Sequence, residues 1–136
     1  MNLVSRAAAT AALALLVTGP ALSADAAGLH FKTLSSTVGG RIEACKLATT
    51  DTGPWKVKLR VDASQAKAHV NGNAWVTEDN VKTGQKWKSG WVAKGHVSDV
   101  GTVRLPRGKQ FVLNAGIGTD NMGNGGTFTA GDLRGC

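Results

Sequence analysis

Few side chains in this sequence are arranged for a reaction. His96, Ser98 and Asp99 are the residue types of a hydrolase triad. Residues two or three apart on an extended segment cannot converge as nucleophile, base and orienter, and Ser98 lacks the G-x-S-x-G turn that would present it. Glu78 and Asp79 are adjacent carboxylates. On an extended chain they point apart, whereas glycoside chemistry needs two carboxyls flanking one bond, so a polar turn accounts for them better. His30, His69 and His96 lie on three separate segments. The stretch from Asp120 to Gly126 partly matches a calcium loop through Asp120, Asn124 and Gly125. Met122 and Gly131 stand where that loop needs an oxygen ligand and a bidentate Glu. There is no C-x-x-C, H-x-x-H or H-E-x-x-H. The reading is of a chain with no catalytic residues, no metal site and no cofactor.

Binding chemistry is better represented. K86-W-K-S-G-W91 places two of the four tryptophans among lysines, in a chain without tyrosine. Trp87, Ser89, Trp91 and Ala93 share one parity; Lys86, Lys88 and Lys94 share the other. That predicts a wet lysine face, with the tryptophans turned inward or toward a sheet edge. The alternative is an aromatic patch at Trp87 and Trp91 for a protein or glycan, and Gly90 could carry a bulge that re-aims Trp91. Arg104, Arg107 and Lys109 surround L105-P-R-G108, which reads as a tight turn. A basic hairpin tip at Arg107 could dock in an acidic cavity, or simply be solvated. Gly118–Gly126 reads as a long glycine-rich loop, a common place for binding.

These residues must be held by something, and the pattern is of strands. In W55-K-V-K-L-R-V-D62, Trp55, Val57, Leu59 and Val61 alternate with polar residues, the period of a half-buried strand. Asn71-Gly72 reads as a two-residue hairpin turn, which sets Trp75 opposite Ala68 and in the core. Further strands are predicted near 29–38, 41–47, 97–105, 110–117 and 126–133, and no segment keeps a 3.6-residue period. Short strands separated by turn chemistry predict an all-β, immunoglobulin-like antiparallel sandwich of about seven or eight strands. The spacing from Cys45 to Trp55 mimics that of an immunoglobulin domain. The terminal position of Cys136 and the lack of tyrosine depart from a true one.

The first 26 residues have the charged start, short apolar run and small-residue region of a secretory signal peptide, which is removed on export. The apolar run is too short to span a bilayer. Residues 27–136 then form one domain, and the net charge stays at +7 because Arg6 and Asp25 leave together. The charge is spread along the chain, and an extracellular location argues against nucleic acid as a partner. Export also favours a disulfide between the only cysteines, Cys45 and Cys136. Leu29, Phe31 and Thr33 form an alternating segment ahead of Cys45. Residues 27–40 could therefore close their own sheet or pair with a partner.

In layout (signal, N-terminal stretch, Cys45, Trp55-centred strand, terminal Cys136) the chain resembles the small exported adaptor subunits of actinobacterial umbrella toxin particles. The resemblance implies an immunoglobulin-like protein-binding adaptor within a secreted toxin complex, joining protein subunits without catalysis. Two alternatives stand beside it: an exported hydrolase inhibitor acting through a surface loop, and a carbohydrate or cell-wall binding domain using Trp87 and Trp91.

Overall fold

Alternation of apolar and polar residues produces a chain built almost wholly from strands. The computed structural model describes residues 28–136, so the predicted signal peptide lies outside the described residues. Among them are β1 (Lys32–Thr37), β2 (Gly40–Ala48), β3 (Trp55–Asp62), β4 (Val70–Glu78), β5 (Val81–Val92), β6 (Gly101–Leu105), β7 (Phe111–Gly118) and β8 (Gly123–Phe128). A 3-10 turn, Ala130–Asp132, follows. The strands form two antiparallel sheets, ordered β1-β2-β3-β6 and β5-β4-β7-β8. The orders β2-β3-β6 and β5-β4-β7-β8 reproduce the A-B-E and C′-C-F-G sheets of an immunoglobulin-like sandwich, with β1 as an added edge strand.

The core lies between the sheets. Val57, Leu59 and Val61 of β3 are fully buried, as the alternation requires. Facing them are Val70, Ala74 and Val76 of β4 and Leu113, Ala115 and Ile117 of β7. Each large side chain fully buried there contributes about 1.5–3 kcal/mol. Outside the core, Glu43 and Asp62 are buried but paired: Arg60 Nη2 lies 2.8 Å from Glu43, and Arg41 bonds Asp62.

Asn71-Gly72 is not a turn. V70-N-G-N-A-W-V-T-E78 runs straight through it as β4. Glycine is needed at position 72 for packing, since a Cβ there would lie 2.4 Å from Val61 Cγ2. The hairpin turn is Asp79-Asn80, where both residues adopt positive φ (46° and 68°), the requirement of a tight two-residue turn. In consequence Trp75 does not join Val70 in the core; it projects from the opposite face of β4.

Gly118–Gly126 is likewise mostly strand. β7 ends at Gly118, β8 begins at Gly123, and the turn between them is closed by Thr119 N donating to Met122 O (2.7 Å). L105-P-R-G108 does not form a hairpin tip either, because it carries the chain from β6 in one sheet to β7 in the other.

Cys45 is buried on β2 and bonded to Cys136, with Cα atoms 4.9 Å apart. β1 pairs with β2 only as far as Ala44. Beyond it the C-terminal tail takes over the edge: Lys46 N donates to Arg134 O (2.8 Å) and Cys136 N to Lys46 O (3.0 Å). The bridge therefore staples the tail to the sheet. It closes a separation of 91 residues, which on the chain-entropy argument stabilises the fold by about 4–5 kcal/mol.

Candidate functional site

Two irregularities in β5 determine what the outer face of its sheet displays. Gly72 pairs with Gly90 but Asn73 pairs with Lys88, so Ser89 is an extra residue and Gly90 takes φ +69°. Ser89 Oγ accepts from Gly72 N (2.9 Å) and fixes this bulge. A bulge reverses side-chain parity. Trp87, opposite Ala74, is half-buried and packs against the core. Its indole lies where a Cβ on Gly101 would be, 1.9 Å from Nε1. Trp91, opposite Asn71, points outward and is 54% exposed. The two tryptophans that share a parity in sequence thus lie on opposite faces, through the bulge that Gly90 allowed. The second irregularity places residues 83–85 opposite Val76, with Gly84 at φ +90°. Gln85 Oε1 accepts from Arg104 N (3.0 Å) and ties this excursion to β6.

The register then builds the outer face in rungs that run from β5 to β8. Trp91, Asn71, Gly118 and Gly123 form one; Lys88, Asn73, Gly116 and Gly125 the next; Lys86, Trp75, Asn114 and Thr127 the third. The β5–β4 half is therefore a wall of indoles, lysines and amides. The β7–β8 half, over the first two rungs, is floored by glycine. An open depression of about 460 Å³ lies there, between Asn71, Asn73, the glycines and the Thr119–Met122 turn. A second, of about 250 Å³, adjoins it between Asn71, Asn73, Lys88 and Trp91.

Contacts across the sheet stiffen the ends of this shelf. The His69 ring meets Trp91 edge-on at 4.7 Å between centroids, and His69 Nε2 lies 2.9 Å from Asp120 Oδ2. Exposed Trp91 is thereby connected to the turn at the far side of the shelf. At the other end Asn114 Nδ2 donates to Thr77 Oγ1 (3.1 Å), and Thr127 Oγ1 donates to Asn114 Oδ1 (2.9 Å). Lys82 Nζ stands 5.4 Å from the Trp75 ring centroid.

The glycines of the floor are not all required by the fold. A Cβ on Gly125 would approach Ala115 O to 2.8 Å, and one on Gly118 would approach Met122 O to 3.0 Å. At Gly123 the nearest atom would be Ile117 O at 3.5 Å, and at Gly116 it would be Asn124 O at 3.4 Å, both ordinary contacts. Neither residue has positive φ. Glycine in a strand costs about 0.5–1 kcal/mol relative to alanine, and often marks the close approach of a ligand or another backbone.

The other sequence candidates lie elsewhere. Arg107 is held within the chain: its guanidinium stacks at 4.2 Å on the Trp55 ring and donates to Gly53 O (2.8 Å) and Thr50 O (3.0 Å). Lys46 Nζ is 4.7 Å from the same ring. Phe31 lies under Arg60 at 4.2 Å, and Thr33 Oγ1 donates to Glu43 Oε1 at 3.5 Å. Leu29 is half-buried just before β1. These three thus sit at the edge of their own sheet, remote from Trp91 in the fold. Ser98 serves the fold, its Oγ accepting from Val61 N (2.8 Å) and donating to Asp99 O (2.9 Å). Among the described residues no three of His, Cys, Asp and Glu gather as metal ligands, and no helix is long and apolar enough to cross a membrane.

The part of the site absent from the sequence reading is Asn71, Asn73, Trp75 and His69; the 118–126 glycines read in sequence as a binding loop and instead form a strand floor. A signal for part of it exists, because polar Asn71, Asn73 and Thr77 alternate with Gly72, Ala74 and Val76, which puts Trp75 on the polar parity. No family model, curated protein or solved structure matches the chain.

Proposed function

We propose that the chain is an exported, non-catalytic binding module whose ligand is a polysaccharide lying along the outer face of the β5-β4-β7-β8 sheet. The observation that carries this reading is the bare glycine shelf beside a wall of outward indoles and amides. An exposed indole offers a flat apolar face for a sugar ring. Asn71 and Asn73 each present a donor and an acceptor at the lip, which suits hydroxyl groups. Gly116 and Gly123 keep the floor clear at positions where the fold would accept a side chain. The disulfide accords with an oxidising, extracellular setting.

A second reading is a protein adaptor, favoured by one feature. β5 and β8 are the edges of this sheet, and β5 is broken by two bulges and studded with lysines, devices that discourage strand addition. β8 has small, exposed residues and could accept a partner strand. The inhibitor reading has less support, since the Arg107 guanidinium is occupied within the chain.

Co-sedimentation with a panel of insoluble polysaccharides tests the first reading. Wild-type protein is expected to sediment with at least one, while Trp91→Ala and Gly123→Val remain in the supernatant although neither melts below the wild type. Failure of the wild type to bind any polysaccharide, together with stoichiometric recovery of an exported protein on tagged chain, would replace the glycan reading with the adaptor.

A further inference from the structure

The shelf has a charged wall, and its sign identifies the class of polymer. Resting on the polysaccharide reading above, we propose that the site selects a chain of sugars bearing ring-attached carboxylates, as in a polyuronic acid. Lys88 and Lys86 project from β5 on the same side as Trp91, opposite Asn73 and Trp75. Lys82 follows, beside the Trp75 ring. Alternate residues of a strand are about 7 Å apart, so Lys86 and Lys88 make a row of cations parallel to the shelf.

The acids near this face stand at its two ends rather than on β5, and one of them, Asp120, borders the depression. Asp120 lies at one end against His69, and Glu78 and Asp79 lie at the Asp79-Asn80 turn at the other. A neutral glycan would leave the lysine row without a counterpart. A phosphodiester-linked polyol would meet the lysines but has no ring to lay on Trp91. A uronic acid unit supplies both in one residue: a pyranose face for the indole and a carboxylate at the ring's edge for a lysine. Lysine suits this role on an open surface, since its ammonium is a mobile point charge that follows a repeating anion without fixed geometry.

The test uses matched polymers. Affinity electrophoresis compares polygalacturonate, its methyl ester, a neutral dextran and a poly(ribitol phosphate), with the whole exported chain as probe. Wild type is expected to bind polygalacturonate about tenfold more tightly than the methyl ester, the sum of three modest exposed ion pairs. The preference should shrink as salt is raised. The variant Lys82→Gln/Lys86→Gln/Lys88→Gln should bind acid and ester equally, with an unaltered melting transition. Equal binding of acid and ester by wild type would overturn the carboxylate inference and leave the glycan reading standing. Stronger binding to poly(ribitol phosphate) would overturn it in favour of phosphate. Binding to none of the four and to no polysaccharide in the co-sedimentation panel, by folded protein, would overturn both.

Discussion

Replacing glycine by alanine at two positions in one sheet separates what the fold needs from what the shelf needs. Gly72 faces inward on β4, and a Cβ there would sit 2.4 Å from Val61 Cγ2, with Ile42 Cδ1 at 3.4 Å and Trp87 Cζ3 at 3.6 Å. Val61 and Ile42 are fully buried and cannot yield without moving others. Gly72→Ala is an overpacking change and should cost about 1–3 kcal/mol. Gly123 faces outward on β8, its nearest obstacle would be Ile117 O at 3.5 Å, and its φ is ordinary. Gly123→Ala should therefore stabilise by about 0.5–1 kcal/mol, through the lower entropy of the unfolded chain. Urea denaturation followed by tryptophan fluorescence reads both, and the midpoints should move in opposite directions with unchanged slope. If Gly123→Ala destabilises as much as Gly72→Ala, the floor glycines are demanded by the fold. The inference that they keep space for a ligand then fails.

Other consequences are open to similar measurement. Cys136→Ser should lower stability by about 2–5 kcal/mol and free the C-terminal tail, seen as lost amide protection at Lys46 in hydrogen exchange. Trp55→Ala should cost about 2–3 kcal/mol by denaturation, less than the value for a fully buried tryptophan, because the ring is only half-buried between Lys46 and Arg107. Asp62 is pushed up by burial, but hydrogen bonds from Ser64 and Arg41 and the charge of Arg41 outweigh this and hold its carboxyl below the ordinary 3.8. A lowered folded value stabilises above the unfolded pKa and is lost as pH falls through the folded one. Melting temperature should thus drop below about pH 4, and Asp62→Asn should flatten that part of the profile at a cost of about 1–2 kcal/mol at neutral pH. Trp91→Ala should leave the melting temperature within about 1 °C, since the ring is mostly in water.

What could be read in the sequence was set by how local each cause is. β3 is legible to the residue because its alternation is its own cause of burial. The disulfide is legible because there are only two cysteines to pair and the expected export would place them where thiols oxidise. The outward turn of Trp91 is legible as an option, since Gly90 is visible, but the bulge forms only when Gly72 N finds Ser89 Oγ across the sheet. Asn71-Gly72 misleads because the same dipeptide suits a tight turn and a strand pressed against a neighbour; only the position of Val61 decides between them. The glycines of 118–126 carry no side-chain period, so nothing local distinguishes a loop from a bare strand. The contact of His69 with Asp120 spans 51 residues and has no local signature.

The stapled tail has a further consequence. His30 N donates to Cys136 O at 3.2 Å, so the two ends of the described chain lie side by side at the margin of the β1-β2-β3-β6 sheet. The shelf is on the outer side of the other sheet. A circular permutant that joins residues 30 and 136 through a short flexible linker and opens at Asp79-Asn80 would rearrange the connectivity with little change in geometry. For the same reason a tether at residue 30 and one at residue 136 would attach to the same margin, on the sheet that does not carry the glycine floor.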